Sequence, residues 1–166
     1  MLLSLRGNPR PGISSRAQFR ILRYAHMPLG TLARKDVVHA ARDTPVTALA
    51  QQLRDESVGS VVITNDGKPI GIVTDRDLTT RVLANGDAMN GLQAGDIMTS
   101  DLHTATPDVG LYEAAQRMRE HDVRRLPICD DDGALCGIIT ADDVIELLAD
   151  EHQQLASVIK SQRPPY

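Results

Sequence analysis

The sequence predicts a mixed α/β (α+β) fold in which two tandem β-α-β-β-α repeats pack as one module about a pseudo-two-fold axis. Three observations carry that reading: an internal repeat, a switch between helical and strand periodicity inside each copy, and a core almost without aromatic rings. Asp43-Thr-Pro-Val-Thr-Ala-Leu-Ala-Gln-Gln-Leu-Arg-Asp-Glu-Ser-Val58 overlays Asp108-Val-Gly-Leu-Tyr-Glu-Ala-Ala-Gln-Arg-Met-Arg-Glu-His-Asp-Val123 at an offset of 65. Gly71-Ile-Val-Thr-Asp-Arg-Asp-Leu78 overlays Gly137-Ile-Ile-Thr-Ala-Asp-Asp-Val144 at an offset of 66. The extra residue sits where Asn65-Asp-Gly67 becomes Asp130-Asp-Asp-Gly133, a turn, which is where a structural repeat tolerates an insertion.

Within each copy the elements follow in one order. A short strand leads in. Val46, Leu49, Ala50 and Leu53, and in the second copy Leu111, Ala114, Ala115 and Met118, then recur at helical spacing and predict one-sided helices. Ser60-Val-Val-Ile-Thr64 and Ile70-Gly-Ile-Val73 flank an Asp-Gly turn, as do Leu126-Pro-Ile-Cys129 and Leu135-Cys-Gly-Ile-Ile139, so each copy continues into a buried hairpin. A second helix starts after Thr74 or Thr140. A unit of about 60 residues buries only a thin core, so the two copies are expected to pack face to face. Four aromatics in the whole chain (Phe19, Tyr24, Tyr112, Tyr166) and no Trp leave that core to Val, Ile, Leu, Met and Ala. The division this gives is a flexible basic arm over 1–28, repeat 1 over 29–92, repeat 2 over 93–150, and a helical extension and tail over 151–166. In that extension Val144, Leu147, Leu148, Leu155 and Ile159 carry an apolar stripe until Arg163-Pro-Pro-Tyr166 stops the helix.

Composition narrows the function classes. With 42% hydrophobic and 24% charged residues the 166-residue chain is globular, and no apolar run approaches the ~18 residues of a membrane span. Residues 1–35 hold seven cations and no acid, whereas the remainder carries 11 cations against 22 acids. So acidic a body is a poor polyanion binder, and the scarcity of aromatic rings argues against reading nucleic acid by stacking. The arm admits three readings: an unstructured extension, an organelle transit peptide, or a stretch upstream of a start at Met27. Cys129 and Cys136 are too few for a disulfide framework, so a reducing, cytoplasmic setting is expected.

The sharpest local signal is Thr-x-x-Asp after a buried strand, at Thr74-Asp75-Arg76-Asp77 and Thr140-Ala141-Asp142-Asp143. One such copy is explained by a capping box, in which the Thr and Asp satisfy free N–H groups at a helix start. Two copies at equivalent positions admit more. A helix N-terminus at a strand end offers N–H donors and a positive dipole to a phosphate, and a carboxylate one turn in can accept both hydroxyls of a ribose.

The doubled pattern Val58-Gly-Ser-Val-Val-Ile63 or Val123-Arg-Arg-Leu-Pro-Ile128, then Asp-Gly, then Gly-Ile-(Val/Ile)-Thr-x-x-Asp, resembles a tandem pair of cystathionine β-synthase (CBS) domains, a Bateman module. Asp96-Ile-Met98 is similar to the family's lead-in, and the resemblance covers about residues 29 to 150. It implies a regulatory module, not an enzyme, that binds AMP, ADP, ATP or S-adenosylmethionine in two clefts between the repeats, without a catalytic cofactor. It also implies a flat homodimer and an unidentified target protein that reads the change. By the resemblance the first cleft uses Asp77 for the ribose, with Thr74, Asp75 and Arg76 around the phosphate. Ile72 and the backbone near His103 and Thr104 enclose its adenine. The second cleft uses Asp143 for the ribose, Thr140 with Ala141 for the phosphate, and Ile138 with Val37 and Val38 for the base. Arg124 stands where relatives reach the phosphate, and Gly59 is its counterpart in the first repeat; Arg124-Arg125 together fit either an anion clamp or a solvated pair at a strand start. Asp142 places a like charge beside the second cleft's phosphate position, so the first cleft, with Arg76, is expected to be the better site.

The remaining candidates read as structure. Asp130-Asp-Asp132 fits solvated turn residues, the two cysteines fit small fillers, and the five histidines show no metal-ligand spacing. No metal, no membrane and no nucleic acid are expected. The alternative function is a dimerisation and interaction scaffold that keeps Thr-x-x-Asp only as helix caps.

Overall fold

In the computed structural model of the chain, residues 27–84, 86 and 91–162 are described. The arm up to residue 26 and residues 163–166 of the tail lie outside them. Met27 and Pro28, assigned above to the arm, are tied to repeat 2: the Met27 carbonyl accepts from Leu111 N–H at 3.1 Å, and Pro28 bridges Gly110.

Repeat 1 opens with α1 (Leu29–Leu32) and β1 (His39–Ala41), followed by α2 (Val46–Asp55) and the hairpin β2 (Ser60–Asn65) and β3 (Lys68–Thr74). It closes with α3 (Asp75–Asp77), which widens into a π-type turn over Leu78–Val82. Repeat 2 has α4 (Ala94–Ile97), α5 (Leu111–Glu120), the hairpin β4 (Arg125–Cys129) and β5 (Leu135–Thr140), and α6 (Ala141–Ser161). Among the described residues no helix is long and apolar enough to cross a membrane.

Each expected hairpin forms, and the difference between the turns follows from sequence. Asp66 (φ 49°) and Gly67 (φ 76°) both take positive φ, as a two-residue hairpin turn with the right twist requires. In the longer second turn Asp130 Oδ1 accepts from Asp132 N–H at 3.0 Å and Ala134 N–H at 2.8 Å, so this acidic run is turn structure.

Two elements depart from strict repetition. β1 pairs in parallel with β2, and Val62 N–H donates to the Val38 carbonyl. In the second copy Pro127 stands at Val62's position and has no N–H to give, so the lead-in shrinks to a single bridge, Ala105 with Ile128. The helix after Thr74 keeps only three regular α residues because Thr79 and Thr80 bond back to the carbonyls of Asp75 (3.0 Å) and Arg76 (2.8 Å), which loosens the ladder. Its counterpart α6, without threonines there, runs 21 residues.

The packing holds one feature that the repeat boundaries conceal. α1 of repeat 1 inserts Leu29 and Ala33 into the core of repeat 2, beside Ala105, Leu111, Ala114, Leu126, Ile128 and Ile139. α4 of repeat 2 inserts Ala94 and Ile97 into the core of repeat 1, beside Val46, Leu49, Val61, Ile63 and Val73. The exchange obeys the pseudo-dyad bond for bond: Gly30 N–H donates to Pro107 O and Gly95 N–H to Arg42 O, both at 2.8 Å.

Candidate functional site

The clefts lie where the exchanged lead-in segments cross the second strand of each hairpin. Arg34 and Ile138 exchange backbone hydrogen bonds at 3.0 Å, and Thr99 and Ile72 do so at 2.9 and 3.1 Å. Such close crossing needs glycine at the preceding strand position. A Cβ on Gly137 would stand 3.2 Å from Ala33 Cβ, and one on Gly71 would stand 3.1 Å from the Thr99 carbonyl. The Gly-Ile pair, repeated in both copies, therefore fixes the distance between lead-in and strand, and so the shape of each cleft.

At the strand end each threonine caps the helix that follows. Thr140 Oγ1 donates to Asp143 Oδ2 at 2.6 Å, Thr140 N–H donates to the same oxygen at 2.9 Å, and Asp143 N–H returns to Thr140 Oγ1 at 3.2 Å. Thr74 and Asp77 repeat the arrangement at the same three distances. The second oxygen of each aspartate meets an arginine. Asp143 Oδ1 accepts from Arg34 Nε at 3.0 Å and Nη2 at 2.6 Å, whereas Asp77 Oδ1 lies 3.3 Å from Arg81 Nε. Burial pushes the Asp143 carboxyl up, but the Thr140 hydroxyl, the Arg34 guanidinium and the Thr140 N–H outweigh it and hold the group below the usual aspartate range.

A cavity of about 570 Å³ occupies the second cleft. Val37, Val38 and Ile138 give it an apolar wall, Thr140 stands at its helix N-terminal end, Arg34, Lys35 and Arg125 bring cations to it, and Asp36, Glu56 and Asp142 bring acids. Gly59 lines it as well, and Arg125 reaches over that glycine so closely that a Cβ there would lie 2.7 Å from Arg125 Nη2. Arg124 is turned elsewhere: its Nη2 donates to Asp142 Oδ1 at 3.0 Å and Oδ2 at 3.3 Å, an exposed pair on the rim. Thus Arg125, not Arg124, is the arginine of this hairpin that lines the cavity, and Asp142, which lines it too, is paired with Arg124. Asp143 and Ala141, expected at the ribose and the phosphate, are on α6 and are not among the residues that line the cavity, and Ala141 N–H donates to the Arg124 carbonyl at 2.8 Å.

The first cleft is arranged differently. Ile72, Thr74 and Asp77 share one strand-helix junction beside Thr99. Asp75 N–H donates to Gly59 O at 3.4 Å, its Oδ1 accepts from Arg76 N–H at 2.8 Å, and the Arg76 side chain is exposed. His103 stacks on His121 with ring centroids 3.7 Å apart and planes 15° from parallel, and Thr104 O accepts from Arg117 at 3.4 Å. The cleft ranked second from sequence is the one that holds the 570 Å³ cavity.

Sequence reasoning passed over Arg34, Lys35, Asp36, Glu56, Ser57 and Ser60, all of which line that cavity. The signal for the first was present: at the repeat offset of 65, Arg34 falls on Thr99, a charged residue where the other copy has a small hydroxyl. Cys129 and Cys136 are free thiols, and burial raises the pKa of Cys129. Among the described residues no group of three or more His, Cys, Asp or Glu could hold a metal ion.

Comparison with known proteins agrees with this geometry. The CBS domain family model matches residues 29–84 and 94–150. The uncharacterized protein MK0525 of Methanopyrus kandleri is 38% identical over 120 residues, 72% of this chain and 61% of that one. The mitochondrial CBS domain-containing protein CBSX3 of Arabidopsis thaliana is 28% identical over 117 residues, 68% of this chain and 56% of that one. The chain thus spans somewhat over half the length of these relatives. Among solved structures, the CBS domain pair of protein MJ0100 in complex with 5′-methylthioadenosine and S-adenosyl-L-methionine superposes with a TM-score of 0.67 at 23% identity, covering 74% of this chain and 99% of that one. At that identity the likeness speaks for the fold. Matched at both repeats and sharing the architecture of such a pair, the chain belongs to the CBS domain family and carries its two domains in tandem.

Proposed function

We propose that the chain is a non-catalytic regulatory module that senses an adenosine-containing ligand in its inter-repeat clefts and passes the change to a partner protein. The observation that carries this reading is the 570 Å³ cavity of the second cleft, where an apolar wall faces a capped helix start and a charged lining of three cations and three acids. A base fits against Val37, Val38 and Ile138, a ribose against Asp143, and a phosphate at the start of α6 beside Thr140, with Arg125 alongside. The MJ0100 domain pair, which binds two adenosyl compounds, supports the ligand class by analogy of fold. A reducing, cytoplasmic setting belongs to the same reading and suits the two free thiols. So does a homodimer, since Tyr112 on α5 and Ile145 and Leu148 on α6 are large apolar side chains left exposed on adjoining helices.

Occupancy signals only if the ligand distinguishes two arrangements of the module. Because each lead-in belongs to the opposite core, a ligand seated between lead-in and strand bears on both repeats at once. The test is calorimetric titration of AMP, ATP and S-adenosylmethionine into the chain and into Asp143→Ala and Asp77→Ala. Asp143→Ala is expected to weaken nucleotide binding by tenfold or more, a charge-assisted contact being worth about 1.5–3 kcal/mol. Retained binding in Asp143→Ala with loss in Asp77→Ala would move the site to the first cleft.

A second reading has its own support. Both Thr-x-x-Asp segments form complete capping boxes, so their side chains already have a structural task. On that reading the pair is a dimerisation scaffold, and none of AMP, ADP, ATP or S-adenosylmethionine raises its melting temperature, whereas a ligand at 100 times its Kd stabilises by about 2.7 kcal/mol.

A further inference from the structure

We propose that Arg34 makes the second cleft selective for anionic adenosine ligands, by occupying the ribose-binding carboxylate of Asp143 until a phosphate draws the guanidinium away. The inference rests on the nucleotide reading above and adds to it a gate and a ligand class. A carboxylate offers about four acceptor positions. On Asp143 they are spoken for: Oδ2 takes the hydroxyl and the N–H of Thr140, and Oδ1 takes Nε and Nη2 of Arg34. A ribose diol, which brings two O–H donors, therefore has to displace one set.

The set that yields is Arg34. Its side chain is 62% exposed against 12% for Asp143, and the Thr140 bonds are part of a helix cap that the fold retains. A neutral nucleoside that pushes the guanidinium aside keeps hydrogen bonds on the carboxylate but breaks the ion pair and leaves Arg34 without a counter-charge, which is a net loss. A nucleoside phosphate replaces it with a new pair, because Arg34 lines the same cavity as Thr140 and Arg125 and can turn to a phosphate at the helix start. S-adenosylmethionine offers Arg34 a singly charged carboxylate instead of a phosphate, and its sulfonium and ammonium stand beside Arg34, Lys35 and Arg125, so it drives the exchange less well. The device belongs to one cleft only. Thr99 stands at the equivalent position of the other, where Asp77 is met by Arg81 from its own helix.

The experiment titrates AMP, ATP, adenosine and S-adenosylmethionine into the full chain carrying Asp77→Ala, so that the second cleft alone is read, and then into the same chain with Arg34→Ala or Arg34→Thr. Before the Arg34 change, AMP and ATP bind at least tenfold more tightly than adenosine or S-adenosylmethionine. Either Arg34 variant strengthens adenosine several-fold and weakens AMP several-fold, so the ratio collapses toward one. A ratio that stays the same in both variants overturns the gate while leaving the nucleotide site standing. Absence of binding by all four ligands to the unmodified chain overturns the nucleotide reading, and the gate with it. Arg34→Thr places in this cleft the residue that the other repeat already folds with, so the comparison survives even if Arg34→Ala unfolds.

Discussion

Asp143 has two partners that both require its negative charge, Thr140 at the cap and Arg34 across the repeats, and this ties the site to acid stability. Its folded carboxyl sits below the usual aspartate range because those bonds outweigh burial. The unfolded group titrates near pH ~3.9, so between the two values the native chain binds fewer protons than the unfolded one and stability rises with pH. The contribution is complete above the unfolded value and is lost as pH falls through the folded one. Urea midpoints of the chain and of Asp143→Asn should therefore differ most above the unfolded value and converge as the pH falls below it through the folded one. A gap that does not change with pH would show that the charge of Asp143 contributes nothing. The cap was legible in the sequence because Thr140 and Asp143 are three residues apart and the pattern occurs twice. Arg34 was not, because it reaches Asp143 from 109 positions away and only the crossing of lead-in and strand brings them together.

At the scale of elements, the hairpins were readable because their turns announce themselves: Asp66-Gly67 has the backbone that only such residues adopt readily. The helix after Thr74 was readable in its start and not in its course, since the back-bonding of Thr79 and Thr80 competes with the regular ladder. Gly137 carries the most testable consequence. Its Cα passes so near the lead-in that a Cβ would lie 3.2 Å from Ala33 Cβ and 3.3 Å from the Arg34 carbonyl, both on a segment fixed by its own backbone bonds. Gly137→Val must push that segment off β5, at a cost of about 1–3 kcal/mol for overpacking. The same displacement separates Arg34 and Val38 from Thr140, so nucleotide affinity should fall together with the urea midpoint. Lost stability with unchanged affinity would mean that the lead-in does not shape the cleft.

For the whole molecule, the exchange of α1 and α4 makes the two repeats one folding unit although the sequence divides them cleanly. Periodicity assigns residues to elements, but it does not say against which copy a lead-in helix packs, and in a repeat protein both choices present the same apolar faces. The chain closes each core with a helix from the other repeat, so neither core is complete by itself. Leu29 makes the point: fully buried, it belongs to repeat 1 by sequence and to the core of repeat 2 by contact. If the repeats were independent, Leu29→Ala would lower one of two calorimetric transitions and leave the other in place. With interlocked cores a single transition moves as a whole, by an amount set by a buried leucine truncation of about 2–5 kcal/mol, which for a chain of this size is on the order of 10 °C. Ile97→Ala, a truncation from α4 into the core of repeat 1, should shift that same transition without splitting it. Two resolved transitions that respond separately to Leu29→Ala and Ile97→Ala would mean that the repeats fold apart, and a ligand between them could then not act on both.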